Sequence, residues 1–371
     1  MATRYWVGGG ASTNWSATGS TNWSAISGGS NNASVPTTGD DVVFNGSSGS
    51  STSILDQAIS LNSFDCNAYT GTITHNAVTL TITGNDAGAI AGVTFRLASG
   101  MTFTAGSNAR LVSMTSTSGT STITTAGKTL GALTLNGVGG TFSLGDDLTV
   151  RSDAAITLTN GTFTDNNHNV TAGAFSSANS NTRVVTFGTG TAWTLGLVSG
   201  TVFDCSTVTG LTVNPGTATI TCSAAATGNR IFACGTSKSY PGLAIVDSGT
   251  VHADFTITAT TAATFASLAM TAPVNVVFPQ AVTVTVTAAF ALAGTAYNSA
   301  ILLRSSNAAA GVQATISTAT GSPTIAWAAL DNMAFTGGAT FTATNSIDLG
   351  HNTGISISGP TGGGATGVIG S

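Results

Sequence analysis

Leu133-Thr-Leu135, Thr141-Phe-Ser-Leu144, Leu148-Thr-Val150, Ile156-Thr-Leu-Thr159 and Thr162-Phe-Thr164 follow one another with glycine-rich or polar turns between them. Each piece alternates apolar residues with Thr or Ser, the period of two that marks a strand with one buried face. Working outward, the same pattern recurs upstream at Thr79-Leu-Thr-Ile-Thr83 and Val93-Thr-Phe-Arg-Leu97. Downstream it returns at Val184-Val-Thr-Phe187, Leu211-Thr-Val213, Ala218-Thr-Ile-Thr221 and Phe255-Thr-Ile-Thr258. Successive pieces start mostly about 7–12 residues apart, too close to hold a crossover helix of a dozen residues or more.

An antiparallel sandwich and a parallel β-helix both fit that spacing. The pieces are shorter than ordinary sandwich strands, and they continue without a break for about 250 residues, more than one sandwich holds. Asn-Gly, the strongest short hairpin signal, occurs only at Asn45-Gly46, Asn136-Gly137 and Asn160-Gly161. These features predict an all-β fold, a parallel β-helix (β-solenoid) over residues 61–310. At about 22 residues per coil and about 4.8 Å between coils, it would make roughly 11 coils and a rod on the order of 50 Å long.

Composition points the same way. The chain of 371 residues has 14 acids, all Asp, and 9 Lys+Arg, of which only Lys128 and Lys238 are lysines. Helix surfaces are normally built from Glu, Lys, Gln and Arg, so an extensively helical protein is excluded. Thr occupies 67 positions and Gly 47, residues suited to strands and tight turns. A net charge of −5 with scattered Arg leaves no basic footprint for nucleic acid. The charge-free stretch from Phe255 to Leu303 alternates Val and Thr at 282–287, a strand pattern rather than a membrane span. No signal-peptide core is visible at Met1-Ala-Thr-Arg-Tyr-Trp-Val-Gly8.

The ends differ from the middle. Residues 1–60 hold Trp6, Trp15 and Trp23 and read as an aromatic-rich cap or attachment segment, because the open edge of a first coil needs covering. Residues 311–371 form a closing segment with Trp327, Phe335 and Phe341, then a Gly-rich tail from Gly359. Phe64-Asp-Cys66 with Thr70-Gly71 reappears as Phe203-Asp-Cys205 with Thr209-Gly210, which predicts an apolar–Asp turn at corresponding coil corners. Cys66, Cys205, Cys222 and Cys234 are widely spaced and read as free, mostly buried thiols.

The opening Arg4-Tyr-Trp-Val-Gly-Gly9, Thr21-Asn-Trp-Ser24 and Ser34-Val-Pro-Thr37 with Asp40-Asp-Val-Val-Phe44 resembles the start of β-helical virion proteins of environmental tailed bacteriophages. The run from Leu148 through Asn181-Thr-Arg183 is similar to their repeated coils, and Phe335-Thr-Gly-Gly-Ala-Thr-Phe341 with Asn345-Ser-Ile-Asp-Leu-Gly-His-Asn-Thr-Gly354 resembles their closing segment. The resemblance implies a virion location (a fibre, spike or capsid-decoration subunit) and brings no catalytic residues. The long, weakly charged sides of such a solenoid predict a homo-oligomer, with a trimer favoured only by the similarity to fibres and spikes, and the compositionally distinct, Trp-rich residues 1–60 are the expected join to other virion proteins, with a host glycan or receptor as a further expected partner. The expected contact region between copies is the charge-free stretch from Phe255 to Leu303, with Phe290 and Tyr297 as exposed candidates. The Thr-rich middle equally resembles secreted adhesin passengers, which keeps that reading as the alternative, with a glycan depolymerase third.

Glycan cleavage needs two carboxyls flanking a sugar, so Asp146, Asp147, Asp153 and Asp165 are the candidates. They stand beside Gly145, Ser152 and Asn166, and read as turn residues. His75, His168, His252 and His351 are isolated and read as solvent-facing or turn residues, without metal-ligand spacing. No catalytic, cofactor or metal residue is therefore assigned, and no enzyme activity is expected. Thr-x-Thr triplets at 81–83, 102–104, 122–124, 157–159, 219–221 and 256–258 raise ice binding, but their sequence spacing is too uneven to predict a regular array.

Overall fold

The computed structural model describes residues 1–106, 110–249, 253–271, 274–296 and 299–360. Regular structure is nearly all β: the strands run from Thr3–Trp6 to Ile355–Ile357, with a short 3-10 turn at Gly46–Ser48.

The strands fall into three parallel ladders, visited by the chain in the fixed order A, B, C. Face A begins Thr3–Trp6, Asp41–Val43, Ser63–Asp65, Phe95–Arg96, with Val42 opposite Phe64 and Phe64 opposite Phe95. Face B begins Thr52–Leu55, Thr72–His75, Thr102–Thr104, and face C begins Ile59–Leu61, Thr79–Ile82, Leu111–Met114. The order persists to the C-terminal coils, where Met333–Gly337, Phe341–Thr344 and Ile347–Asp348 lie on A, B and C. This is a parallel β-helix, as the sequence pattern predicted.

Register explains why the short apolar–Thr alternation suffices. On face C, Leu133 lies opposite Ile156, Ile156 opposite Phe175, Phe175 opposite Phe203 and Phe203 opposite Phe232. All five are fully buried, and the Phe203 and Phe232 rings stack at 4.4 Å. On face B, Leu148, Val170, Trp193, Ile220 and Leu243 form the equivalent inward column. One continuous apolar core runs from Trp6 to Ala343, across residues 60/61 and 310/311 alike. Corner loops absorb the variation in coil length: Leu61 to Ile82 is a short coil, whereas Leu80 to Val112 carries a long loop.

The Asn-Gly pairs at 136–137 and 160–161 lie inside the strands Ala132–Leu144 and Ala155–Thr164, which bend from face C to face A. Asn160 Nδ2 donates to Asn136 Oδ1 at 2.7 Å, so the corners stack as a short amide ladder. Gly161 has φ +89°, and a Cβ there would lie 2.4 Å from the Gly137 carbonyl oxygen; only glycine fits.

The N-terminal segment closes the first coils. Thr3–Trp6 extends face A in parallel and also pairs antiparallel with Trp23–Ser24, while Asn14 bridges to Ile54 on face B. Trp6, Trp15, Trp23 and Phe44 pack edge-to-face or stacked within 6 Å, and all are buried. Trp15 Nε1 donates to Ser53 Oγ at 2.6 Å and Trp23 Nε1 to the Trp15 carbonyl at 3.1 Å. The large aromatic area expected to serve as an attachment surface is therefore consumed inside the chain.

The Phe-Asp-Cys repeat is corrected in its placement. Asp65 accepts from the Asn67 amide and Asp204 from the Ser206 amide, the same local turn. Phe64 belongs to face A and Phe203 to face C, so the two corners do not correspond.

Replacing Phe203 by Ala should lower unfolding free energy by about 3–5 kcal/mol, because the cavity opens inside a stacked column that cannot collapse. Val138→Ser, on a side chain 64% exposed, should change it by less than about 0.5 kcal/mol. Urea unfolding of the two variants checks the contrast.

Candidate functional site

Two shallow grooves lie on the surface of the N-terminal coils. The larger, about 510 Å³, is bounded by Asn67, Thr70, Arg96, Ser99 and Ala126. Its floor follows from register: Asp65 and Arg96 are ladder partners, and the guanidinium donates to the carboxylate through Nε at 2.7 Å and Nη2 at 2.9 Å. Asp65 bonding and charge raise the Arg96 pKa, so the cation is fixed. Tyr69, whose hydroxyl donates to the Ser51 carbonyl, is held protonated by burial, its pKa pushed up to about 12. The second groove, about 400 Å³, is lined by Pro36, Thr37, Gln57, Ser60, Thr79 and Thr81, without an ionisable side chain. Amides, hydroxyls and one neutralised guanidinium can bind a polar solute; they supply no base poised for proton transfer.

The four candidate carboxylates do not line either groove. Asp146 and Asp147 are adjacent yet serve opposite neighbouring coils. Asp146 accepts from the Thr125 amide at 2.8 Å in the preceding coil. Asp147 accepts from the Asn169 amide at 2.9 Å and side chain at 3.1 Å in the next, bonds that lower its pKa. Asp153 is held by Arg151, its pKa lowered chiefly by that guanidinium, on an open corner. Asp165 is fully buried and accepts from the Asn167 amide, Thr191 Oγ1 at 3.0 Å and Trp193 Nε1 at 2.8 Å. The turn assignment of these acids thus has a specific geometry, and for Asp165 it includes a buried tie to Trp193 that spacing alone could not reveal.

The histidines need one correction. His75 is neither solvent-facing nor in a turn: it ends the strand Thr72–His75, is fully buried, and its Nε2 lies 3.0 Å from the Val78 carbonyl. Desolvation, with a smaller push from Arg110, lowers its pKa to about 4. His168 lies 3.7 Å from Asp147, His351 occupies an exposed turn at φ +54°, and His252 lies outside the described residues. The four cysteines are free and buried. Burial pushes their thiols up, Cys222 to about 12, so none is a neutral-pH nucleophile. Among the described residues no group of three His, Cys or acidic side chains is placed to hold a metal ion, and no helix is long and apolar enough to cross a membrane.

Sequence reasoning missed Arg183 and Arg230, both fully buried. Arg183 has no carboxylate partner among the described residues; Nε donates to Ser177 Oγ and Nη1 and Nη2 to the Thr209 and Thr207 carbonyls. Arg230 pairs with Asp247 at 3.1 Å and sits 5.3 Å above the Phe255 ring. An isolated Arg preceding an apolar strand was the available signal.

The fold and its surface define a parallel β-helix with polar grooves and stapled corners. Comparison with protein-family models, with curated proteins and with solved structures found no match.

Asp165→Ala should destabilise the protein by about 2–4 kcal/mol, because Trp193 Nε1 and Thr191 lose a buried acceptor. Asp153→Asn, on an exposed pair, should change stability by about 0.5 kcal/mol or less; chemical denaturation separates the two. His75 predicts an acid-labile term. The unfolded chain takes up its proton near pH 6.5 and the folded chain only near 4. Stability should therefore be fully retained above pH 6.5 and fall by at most about 3 kcal/mol as pH drops toward 4. His75→Gln should flatten that slope in pH-dependent melting.

Proposed function

We propose that the protein is a non-enzymatic structural subunit of a phage virion, the rigid shaft of a fibre, spike or decoration element. The observation that carries the reading is the three-ladder rod around one continuous apolar core; among the described residues its ladder pairing lapses only from Thr102–Thr104 to Thr129–Leu130 on face B and from Leu211–Asn214 to Lys238–Tyr240 on face A. Its coils span on the order of 60 Å at about 4.8 Å per coil, and of its candidate acids Asp146, Asp147 and Asp165 tie neighbouring coils while Asp153 pairs with Arg151 on an open corner, so they are not gathered in a cleft. The virion setting itself rests on the resemblance of the opening and closing segments.

A shaft of this kind works as a homo-oligomer, and a trimer is favoured by analogy with fibres and spikes. The contact surface lies on face B of the charge-free stretch and the coil before it. There Ala244, Ala269 and Ala291 stand in register on the outward side, flanked by Val246, Thr271 and Ala293. Small side chains let a neighbouring face approach closely without desolvating charge. Phe290, an exposed candidate in the sequence, is excluded from this surface: it points inward opposite Leu268 and packs at 5.9 Å on Phe341. Tyr297 lies outside the described residues. With the tryptophans of residues 1–60 internal, attachment to other virion proteins would use the exposed loops of that segment, such as the one carrying Ile26, 68% exposed.

Light scattering at micromolar concentration should give a multiple of the 36.4 kDa chain mass, and Ala269→Arg with Ala291→Arg should reduce it to the monomer. A monomeric wild-type protein overturns the assembly reading. Its absence from purified particles of a phage that encodes it overturns the virion reading.

A further inference from the structure

The outward side of face A carries an ordered array that the sequence conceals. Along one column, Ser143, Thr164, Thr186 and Asn214 are ladder partners in successive coils. Two residues earlier on the same strands, Thr141, Thr162, Val184 and Thr212 form a second column in the same register. The pattern resumes beyond Lys238–Tyr240, where Thr264, Thr285, Ser317 and Thr336 align, with Thr283 and Thr315 in the companion column. None of these outward positions is charged, and all are half-buried or exposed. The charged outward pair of face A, Asp65 and Arg96, lies in the N-terminal coils ahead of the array, whereas on face C the outward positions alongside it include Asp204 and Arg304.

The Thr-x-Thr triplets of the sequence do not compose this array. Those at 81, 157 and 256 lie on face C, those at 102 and 219 on face B, and only that at 122 on face A. There Thr122 is withdrawn, its hydroxyl donating to Asp86 at 2.6 Å, so the open array starts one coil later at Thr141. The uneven spacing that argued against a regular lattice is taken up at the corners, and register restores the regularity.

We propose that face A binds ice. The two columns repeat at about 4.8 Å from coil to coil and about 6.8 Å along the strand, spacings that approximate the oxygen repeats on the prism faces of ice. Threonine supplies a methyl group against which water cages and a hydroxyl that anchors the cage. Its branched Cβ restricts χ1, so the array is rigid before binding. The Thr164 and Thr186 hydroxyls accept from the Asn166 amide and the Asn214 side chain, which leaves their protons free to donate outward. Each such contact exchanges one hydrogen bond to water for another and gains little. A discrete solute touching a few of them would bind no better than solvent, whereas a solid periodic in the same two directions engages every row at once. The aligned positions offer no ring for stacking a sugar and no charge to recruit an ionic partner; Lys238, between the two blocks, is spent on the Leu211 carbonyl. The inference rests on face A alone and stands whether or not the chain belongs to a virion.

The test uses the full chain in slowly grown ice, with serum albumin as the excluded control. Wild-type protein should be enriched in the ice fraction and should suppress recrystallisation. Thr164→Tyr combined with Thr285→Tyr should reduce both at least tenfold with an unchanged far-UV circular dichroism spectrum, while Thr157→Tyr on face C leaves both intact. Exclusion of the wild type at the albumin level overturns the proposal, as does equal loss from the face A and face C variants. A face A variant that turns an ice-excluded oligomer into a monomer also overturns it, and assigns the array to contact between copies.

Discussion

The hydrogen-bonded parallel ladder between coils is the constraint on which everything else in this molecule rests. A strand of three or four residues has no stability by itself, because it cannot bury enough surface to offset the entropy of fixing its backbone. Stacked on a coil above and below, each strand satisfies its amides and carbonyls and places one apolar side chain under another. That is why the Phe175–Phe203–Phe232 and Leu148–Val170–Trp193 columns recur so strictly. The register also orders the outside: when inward residues align, outward hydroxyls must align too.

A solenoid built this way concentrates its polar problem at the corners, where the chain leaves a ladder and its backbone groups lose their partners. Aspartate is the main remedy. Asp65, Asp165, Asp204, Asp247 and Asp348 each accept from an amide two residues on. The short Asp side chain reaches its own turn, and Glu, which would overreach, is absent from the chain. Arg183 solves a larger corner by donating into carbonyls, with burial lowering its pKa, and Arg230 does so with Asp247 as counter-ion. Removing either guanidinium would orphan buried acceptors, so these few charges act as fasteners rather than as a solubilising coat.

What remains for the surface is hydroxyl. With so few charges, water contact falls to Thr and Ser on the outward positions and to the backbone of turns. From Thr141 onward the three faces acquire different characters from small substitutions at equivalent positions: alanine along part of face B, Asp204 and Arg304 on face C, threonine and serine along face A. The same architecture thus presents one surface suited to close packing and another suited to a patterned layer of water.

The sequence alone determined the class. Alternation at a period of two, spacing too short for helices, and the absence of Glu specify a parallel β-helix, because these are local properties of strands and turns. It also told that the cysteines are buried and that the Asp residues serve turns, since Cys is apolar enough to bury and Asp, flanked by Gly, Ser or Asn, favours turns. Tertiary structure alone decided which turn each acid serves, that His75 is buried, that Phe290 points inward, and which threonines share a face. The physical reason is that side-chain direction is set locally, but a coil's neighbours are set by loops whose length varies from coil to coil. Uneven loops scramble spacing along the chain, and the ladder hydrogen bonds restore it in space.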